Sequence, residues 1–238
     1  MVILITMHNP RILVEGAASW LHYENICRRD HMFDETYLRY PISQILQTYY
    51  GNKVKIEYPH PLLSHISGKK GDKRRIDFVV LNDSDQIKLA LETKWVNSSK
   101  YLIESLISDA IRLEMLASEF GTTAFIILGG GKGVMQKFSC QKKNTPHPEN
   151  PNSNPLLPFQ KDHFTSVRLN PPSKYRWKIL KKACEPYIGM EIPNGLFFKR
   201  TVFYPEHFDG TKKFMLFGWR VESRRNRECF FPESVFDY

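Results

Sequence analysis

Two apolar segments joined by a short polar link constrain the fold of this chain more than any other feature. Arg74–Leu81 (RRIDFVVL) and Ile87–Val96 (IKLALETKWV) are rich in β-branched and aliphatic residues, and residues 82–85 (NDSD) between them are typical of a tight turn. Because so short a link permits only antiparallel pairing, the sequence predicts a β-hairpin here.

A long helix and a further strand are predicted after the hairpin. Residues 97–99 (NSS) offer N-caps to a helix from about Lys100 to Phe120, and Gly121 suits the position after its end. Thr122–Leu128 (TTAFIIL) has the apolar character of a strand at the centre of a covered sheet. A crossover helix predicts that this strand lies parallel to Ile87–Val96.

Helical periodicity precedes the hairpin. Residues 10–50 predict two helices, the second beginning after the N-cap Asp34, and Pro41 within it predicts a kink or break. Lys53–His60 alternates apolar and charged residues as a strand does. The whole order is helix, helix, strand, strand, strand, helix, strand. It predicts a three-layer α/β domain with a mixed central sheet flanked by helices.

The chain divides into three regions by composition. Residues 1–135 hold the predicted core, residues 136–160 are rich in Pro and Asn and predict a loop or linker, and residues 161–238 form a basic, aromatic-rich region. That last region predicts a C-terminal α+β extension, either a second small domain or an elaboration packed on the first. Its predicted elements are a helix at Tyr175–Tyr187 and strands at Leu196–Tyr204 and Lys213–Val221.

The net charge of +9 is confined to the second half of the chain. Residues 1–130 contain 15 basic and 15 acidic residues, whereas residues 131–238 contain 19 basic and 10 acidic ones. A neutral front half joined to a basic back half favours a polyanion-binding surface on the latter, with a merely soluble basic protein as the alternative.

Other features exclude several classes of protein. The four cysteines are scattered without a CxxC pair, so they indicate neither a disulfide framework nor a zinc knuckle. No stretch approaches the roughly 18 to 20 apolar residues of a membrane helix, and the apolar start is too short for a signal peptide. We therefore expect a cytoplasmic protein.

Three charged residues interrupt the apolar strands of the hairpin. Glu92 and Lys94 are two apart and so share one face of their strand, and the fourteen residues between Asp77 and Glu92 fit two strand arms and a turn. We therefore expect two carboxylates and an amine to converge. Carboxylate oxygens hold Mg²⁺ or Mn²⁺, and an amine can orient or deprotonate a water or stabilise negative charge, as phosphodiester hydrolysis requires. A surface salt-bridge ladder is the alternative.

The same residues carry a family resemblance. Asp77, then fourteen residues, then Glu92-Thr93-Lys94 resembles the PD-(D/E)xK motif of the restriction-endonuclease-like nuclease superfamily, over roughly residues 30–130. The resemblance implies that Asp77, Glu92 and the Thr93 carbonyl bind Mg²⁺ (or Mn²⁺) and that Lys94 assists the attacking water. One departure is Ile76, which stands where the motif has Pro.

Further expectations follow from the resemblance. Many members add an acid from the helix before the sheet, for which Glu35 is the first choice and Glu24 the second. Some members carry an Asp and an Arg on the helix after the Lys, where Asp109 and Arg112 stand. The implied function is a metal-dependent DNA endonuclease, with DNA favoured over RNA, in restriction or anti-phage defence as a homodimer or larger defence complex. The alternative is a catalytically inactive nucleic-acid-binding or assembly protein of the same fold.

Basic side chains near the predicted site are candidates for contact with nucleic-acid phosphates. Residues 129–133 (GGGKG) follow a strand without the spacing of a Walker A motif, so they predict an exit loop whose amides and Lys132 can touch a phosphate. Residues 69–75 (KKGDKRR) form a basic turn directly before the strand of Asp77, and a solvated hairpin is the alternative interpretation of this turn. The candidates are Lys69, Lys70, Lys73, Arg74, Arg75, Arg112 and Lys132.

Overall fold

The computed structural model describes residues 10–64, 74–96, 102–139, 157, 165–172, 176–204, 213–224 and 228–237. The helices are α1 (Arg11–Ile26), α2 (Glu35–Tyr50), α3 (Leu102–Phe120), α4 (Lys132–Ser139) and α5 (Trp177–Cys184). The strands are β1 (Val54–Pro59), β2 (Arg75–Leu81), β3 (Ile87–Val96), β4 (Thr123–Gly131), β5 (Thr165–Arg168), β6 (Ile192–Pro193), β7 (Gly195–Tyr204), β8 (Phe214–Glu222) and β9 (Cys229–Phe230). Short 3₁₀ turns lie at Asp30–Met32, Gly51–Lys53, Glu185–Tyr187 and Pro232–Ser234.

Seven strands form one mixed sheet in the order β1-β2-β3-β4-β8-β7-β5, while β6 and β9 form a separate pair. β2 and β3 pair antiparallel, and β4 lies parallel to β3. Both pairings are those predicted from the sequence. The protein is therefore mixed α/β, with a sheet flanked by helices in an arrangement compatible with a three-layer fold.

Two apolar cores lie on opposite faces of the sheet. Alternate residues of β4 divide between them: Ala124, Ile126 and Leu128 pack with α3 and α5, whereas Phe125 and Ile127 pack with α1 and α2. A strand covered on both faces needs apolar residues at every position, which explains the unbroken apolar run of β4. Within the described ranges, no helix is long and apolar enough to cross a membrane.

The strands of the back half continue the sheet of the front half. β8 pairs with β4 along Ala124–Gly131, and β7 and β5 follow on its other side. Trp219 of β8 is fully buried in the core that also holds α3. The basic region therefore contributes core residues as well as charge.

Helix α2 begins where the sequence predicts and continues past the predicted break. The Asp34 carboxylate accepts a hydrogen bond from the Tyr37 N–H at 2.7 Å, as an N-cap does. Of the kink or break predicted at Pro41, the break is wrong: the helix is continuous through the proline, with Leu38, Ile42 and Leu46 packed along one buried face. Gly121, with φ +65°, ends α3 as predicted.

The prediction of a glycine-rich exit loop is also wrong. Gly129, Gly130 and Gly131 belong to β4, and Lys132 opens α4 directly. A Cβ on Gly129 would lie 2.7 Å from the Trp95 ring, and one on Gly130 would lie 2.9 Å from Met135. Two of these glycines therefore make room for neighbouring side chains. Of the other predicted segments, residues 97–100 and most of the linker lie outside the described residues.

Candidate active site

The two hairpin strands stop pairing just before the predicted site. Phe78 and Leu91 are the last paired residues in that direction, and Asp77 and Glu92 are the next residue on each strand. The Oδ2 atom of Asp77 accepts hydrogen bonds from the Thr93 N–H at 2.7 Å and from the Thr93 hydroxyl at 2.6 Å. The Asp77 carboxylate therefore satisfies a buried backbone donor at the point where the ladder ends.

Glu92 and Lys94 both reach residues of α3, as the alternation of β3 predicts. Glu92 is only 1% exposed, and its Oε1 accepts a hydrogen bond from Arg112 Nη2 at 2.9 Å. The Lys94 Nζ lies 3.3 Å from Asp109 Oδ2 and 3.8 Å from Glu35 Oε1. Lys94 therefore stands between acids from helices on both sides of the sheet.

Arg39 of α2 links acids from three elements of the site, and it is absent from the residues predicted from the sequence. Its Nη2 contacts Asp77 Oδ1 at 2.5 Å and Glu35 Oε1 at 2.9 Å, and its Nη1 contacts Glu57 Oε1 at 2.6 Å. Its Nε donates to the Thr93 hydroxyl at 3.2 Å. One guanidinium therefore ties α2 to β1, β2 and β3. The only signal in the sequence is the helical i, i+4 spacing from Glu35.

Glu57 reaches Arg39 from a strained backbone. It has φ +51°, which is uncommon for a residue with a side chain, and it is missing from the otherwise continuous β1–β2 register. Strain of this kind persists where surrounding contacts over-determine it, and it is concentrated at functional sites. Here the ion pair with Arg39 is such a contact.

His60 fixes the position of α3 from the end of β1. The ring is fully buried, with Nδ1 accepting from the Leu62 N–H at 3.2 Å and Nε2 placed 3.1 Å from the Arg112 carbonyl. Burial lowers the pKa of His60 to about 4. The imidazole is therefore neutral and donates from Nε2 to the backbone of the residue that pairs with Glu92.

We call the eight charged side chains that meet here the charged cluster. Its members are Glu35, Glu57, Asp77, Glu92, Asp109, Arg39, Lys94 and Arg112. With every member ionised, five carboxylates face three cations and leave two negative charges uncompensated. Burial is the main cause that raises the pKa of Asp77, of Glu35 and of Glu92, the last of these strongly.

Lys94 is a cation in this setting. Burial opposes its charge, but the carboxylates of Asp109, Glu35, Glu92 and Asp77 outweigh burial and raise the pKa of the amine. A protonated amine donates hydrogen bonds and offsets negative charge. Of the roles predicted for Lys94, orienting a water and stabilising charge therefore fit this environment better than removing a proton.

The donor set of the charged cluster suits a hard divalent cation in kind and in charge. Its acids offer oxygen ligands, which Mg²⁺ and Mn²⁺ prefer. The buried Asp109 Oδ2 forms an ion pair with Lys94 Nζ at 3.3 Å but accepts no well-formed hydrogen bond among the described residues. As placed, no three His, Cys, Asp or Glu side chains of the described residues are grouped closely enough to hold a metal. Arg39 and Arg112 supply the positive charge between these acids instead.

The other predicted residues are placed as follows. Arg112 lies inside the charged cluster, and Lys132 donates its N–H to the Lys213 carbonyl at 2.8 Å at the start of α4. Arg74 lies 5.3 Å from the centre of the Tyr187 ring and donates to the Pro186 carbonyl, while the exposed Arg75 donates to the Glu57 carbonyl at 3.4 Å. Glu24 accepts from the Tyr37 hydroxyl at 2.6 Å and pairs with Arg29 at 3.0 Å. Lys69, Lys70 and Lys73 lie outside the described residues.

Comparison of the chain with protein-family models, with curated proteins and with solved structures finds no match. What the site can do therefore has to follow from its own residues. Buried acids with raised pKa values, an ammonium group and a deficit of positive charge are suited to binding a cation and stabilising an anionic transition state.

Proposed function

We propose that the protein is a metal-dependent nuclease that hydrolyses phosphodiester bonds, acting on DNA as an endonuclease. The observation that carries the proposal is the convergence of Asp77, Glu92 and Lys94 at the open end of the hairpin, with Glu35 reaching the same point from α2. With every member ionised, the two uncompensated negative charges of the charged cluster match the charge of one Mg²⁺ or Mn²⁺ ion.

Each residue of the site has a proposed role. Asp77, Glu92 and the Thr93 carbonyl would hold the cation, which when bound neutralises phosphate charge and makes a water more acidic. Lys94 donates hydrogen bonds to the phosphate or to the attacking water and offsets the charge that develops in the transition state. Glu35 is only half-buried and has a pKa raised by burial, so it is suited to exchange a proton at the rim of the site.

Capture of the substrate falls to basic residues outside the charged cluster. The cluster itself is acidic, and the front half of the chain is neutral as a whole, so the long-range attraction for DNA comes from the basic back half and the basic turn before β2. A role in restriction or anti-phage defence, as a homodimer that cuts both strands or within a larger complex, is part of this proposal.

A cleavage assay tests the proposal. Plasmid, linear duplex and single-stranded DNA are incubated with Mg²⁺ or Mn²⁺ and with the wild type, Asp77→Asn, Lys94→Ala or Lys88→Ala, where Lys88 is a control on the same strand β3. We expect metal-dependent cutting that falls by roughly a hundredfold or more in Asp77→Asn and Lys94→Ala and persists in Lys88→Ala. Cutting that survives both site substitutions would contradict the proposal.

A second candidate is a nucleic-acid-binding or assembly protein that does not cut. The observation that favours it is that Arg39 and Arg112 already pair with Asp77, Glu35, Glu92 and Asp109. Titration with Mn²⁺, followed by electron paramagnetic resonance, separates the two candidates. Binding that Asp77→Asn weakens supports the nuclease, while no binding together with DNA affinity unchanged in Asp77→Asn supports the second candidate.

A further inference from the structure

A cleft of about 870 Å³ adjoins the charged cluster on the α1 and α2 side of the sheet. Arg39 and Glu57 line this cleft and also belong to the cluster, so the two share a wall. The volume is within the range of sites that bind small organic groups. A group seated in the cleft would therefore lie next to whatever binds between Asp77 and Glu35.

The cleft has an aromatic lining. The Trp20 ring lies 4.8 Å from that of Tyr37 and 5.5 Å from that of Tyr40, measured between centroids. Tyr40 is 57% exposed, and the apolar side chains of Met32 and Ile56 in the same lining are 50% and 51% exposed. Apolar and aromatic side chains exposed along one concave surface are typical of a ligand-binding site.

The charges of the cleft favour a neutral group over a phosphate as its occupant. Glu24, Asp34 and Glu57 face Arg29 and Arg39 there, so acids outnumber basic residues. The acids, together with the hydroxyls of Thr36 and Ser43, offer hydrogen-bond partners for a neutral polar edge. A flat ring with polar edges, such as a nucleobase, fits this chemistry, because every base has a face that stacks on an aromatic side chain.

We infer that the cleft receives one unpaired nucleobase of the DNA substrate, with Tyr40 and Trp20 as its stacking surface. The inference rests on the proposed function, since the neighbouring phosphate of the same strand would then lie at the charged cluster. Bases within a duplex are already stacked and paired, so entry requires a single strand or a locally opened one. The preferred substrate is therefore single-stranded or locally unpaired DNA.

Binding of a fluorescein-labelled single-stranded oligonucleotide, measured by anisotropy in EDTA so that no cutting occurs, tests the inference. Tyr40→Ala removes the stacking face of a half-exposed residue, and we expect at least about a fivefold loss of affinity. Tyr40→Phe keeps the ring and should bind as the wild type does. Tyr23→Ala is the matched control, because Tyr23 on α1 is 58% exposed and does not line the cleft.

Two further ligands separate the contribution of the base to binding from that of the phosphates. An oligonucleotide of abasic sites, and a fully paired duplex, should each bind wild type and Tyr40→Ala alike. The inference would be overturned if both proteins bound the single strand with equal affinity. It would also be overturned if Tyr40→Ala lost as much affinity for the abasic strand as for the normal single strand.

The cleavage assay with Mg²⁺ distinguishes a failure of this inference from a failure of the proposed function. If cutting requires Lys94 but single-strand affinity is the same with and without Tyr40, the inference is wrong and the proposed nuclease activity is supported. If single-strand affinity depends on Tyr40 but no cutting occurs, the base-binding cleft is supported and the proposed nuclease activity is wrong.

Discussion

Arg39 and Arg112 divide the acids of the charged cluster between them. Arg39 holds Asp77, Glu35 and Glu57, while Arg112 holds Glu92 and Asp109. Removing one partner of a buried ion pair is costly because the remaining charge stays buried without compensation. The same loss of positive charge makes the acids better ligands for a cation. Stability and metal affinity should therefore change in opposite directions at these arginines.

Replacement of Arg39 by Met tests whether stability and metal affinity change in opposite directions. Without metal, we expect the free energy of unfolding to fall by about 2 to 4 kcal/mol, since Asp77 is nearly buried and loses its guanidinium partner. Mn²⁺ should raise the melting temperature of Arg39→Met by more than that of the wild type, because the ion binds a more negative site. Arg11→Met is the control, as its pair with Glu15 is exposed and should be worth less than about 1 kcal/mol. Equal stabilisation of both proteins by Mn²⁺ would contradict this account.

His60 predicts a pH dependence of stability. Its pKa is about 4 in the folded protein, below the ordinary value of 6.5, so the unfolded chain takes up a proton first as the pH falls. The stability from a neutral His60 is therefore complete above about pH 7.5 and is lost between about pH 6.5 and pH 4. Between pH 7.5 and pH 5 the loss is about 2 kcal/mol.

Urea unfolding of wild type and His60→Gln at these two pH values measures that loss. His60→Gln should lower the stability at both values and remove this part of the pH dependence, since Gln does not titrate. His31→Gln, at an exposed position, should keep the pH dependence of the wild type. An unchanged difference between pH 7.5 and pH 5 in His60→Gln would show that another group is responsible.

At the scale of elements, β4 depends on glycines at its carboxyl end. A Cβ on Gly129 would lie 2.7 Å from the Trp95 ring and 3.2 Å from Leu38, whereas nothing lies within 4 Å of the same atom built on Gly131. We expect Gly129→Ala to lower the free energy of unfolding by about 1 to 3 kcal/mol through overpacking. Gly131→Ala should be neutral or slightly stabilising. Urea unfolding measures the stability of both variants. Equal free energies of unfolding for Gly129→Ala and Gly131→Ala would contradict the packing role of Gly129.

Local patterns were enough to predict most of the elements in the first half. The hairpin, α3 and β4 follow from runs whose period, caps and turn residues lie within a few neighbours of each other. The placement of Asp77 beside the start of the Glu92-Thr93-Lys94 segment follows in turn from the length of the hairpin. Glu35 was predicted by resemblance, and in the structure it contacts Lys94.

Contacts between distant segments were not predictable in the same way. Arg39 meets Glu57 and Asp77 across 18 and 38 positions, and His60 meets the Arg112 carbonyl across 52, so no local period marks either residue. The pairing of β8 with β4 joins strands about ninety residues apart, and composition alone could not distinguish it from a separate domain. Packing also overrode two local signals, at Pro41 and at Gly129–Gly131.

At the scale of the whole molecule, the two halves share one core. The Tyr187 hydroxyl donates to the Ser108 carbonyl at 2.6 Å, and the Ser223 hydroxyl donates to Glu114 at 2.7 Å, so α3 is held from the back half at two points. Because α3 carries Asp109 and Arg112, the geometry of the charged cluster depends on residues beyond Gly131. The charged cluster and the core beneath it therefore draw on both halves of the chain, although the net charge divides between them.

A fragment of residues 1–135 should consequently fail to fold alone. It would leave β4 as an open edge and strip the core of Trp219 and Phe217, both of which are buried in the whole chain. We expect the full chain to unfold in one transition, with circular dichroism and tryptophan fluorescence coinciding. The fragment should bind a hydrophobic dye and unfold without cooperativity. A full chain cut at a protease site inserted after residue 150 is the control, because it keeps both halves and should retain the single transition. A cooperative transition in the isolated fragment would instead mean that the front half is a domain in its own right.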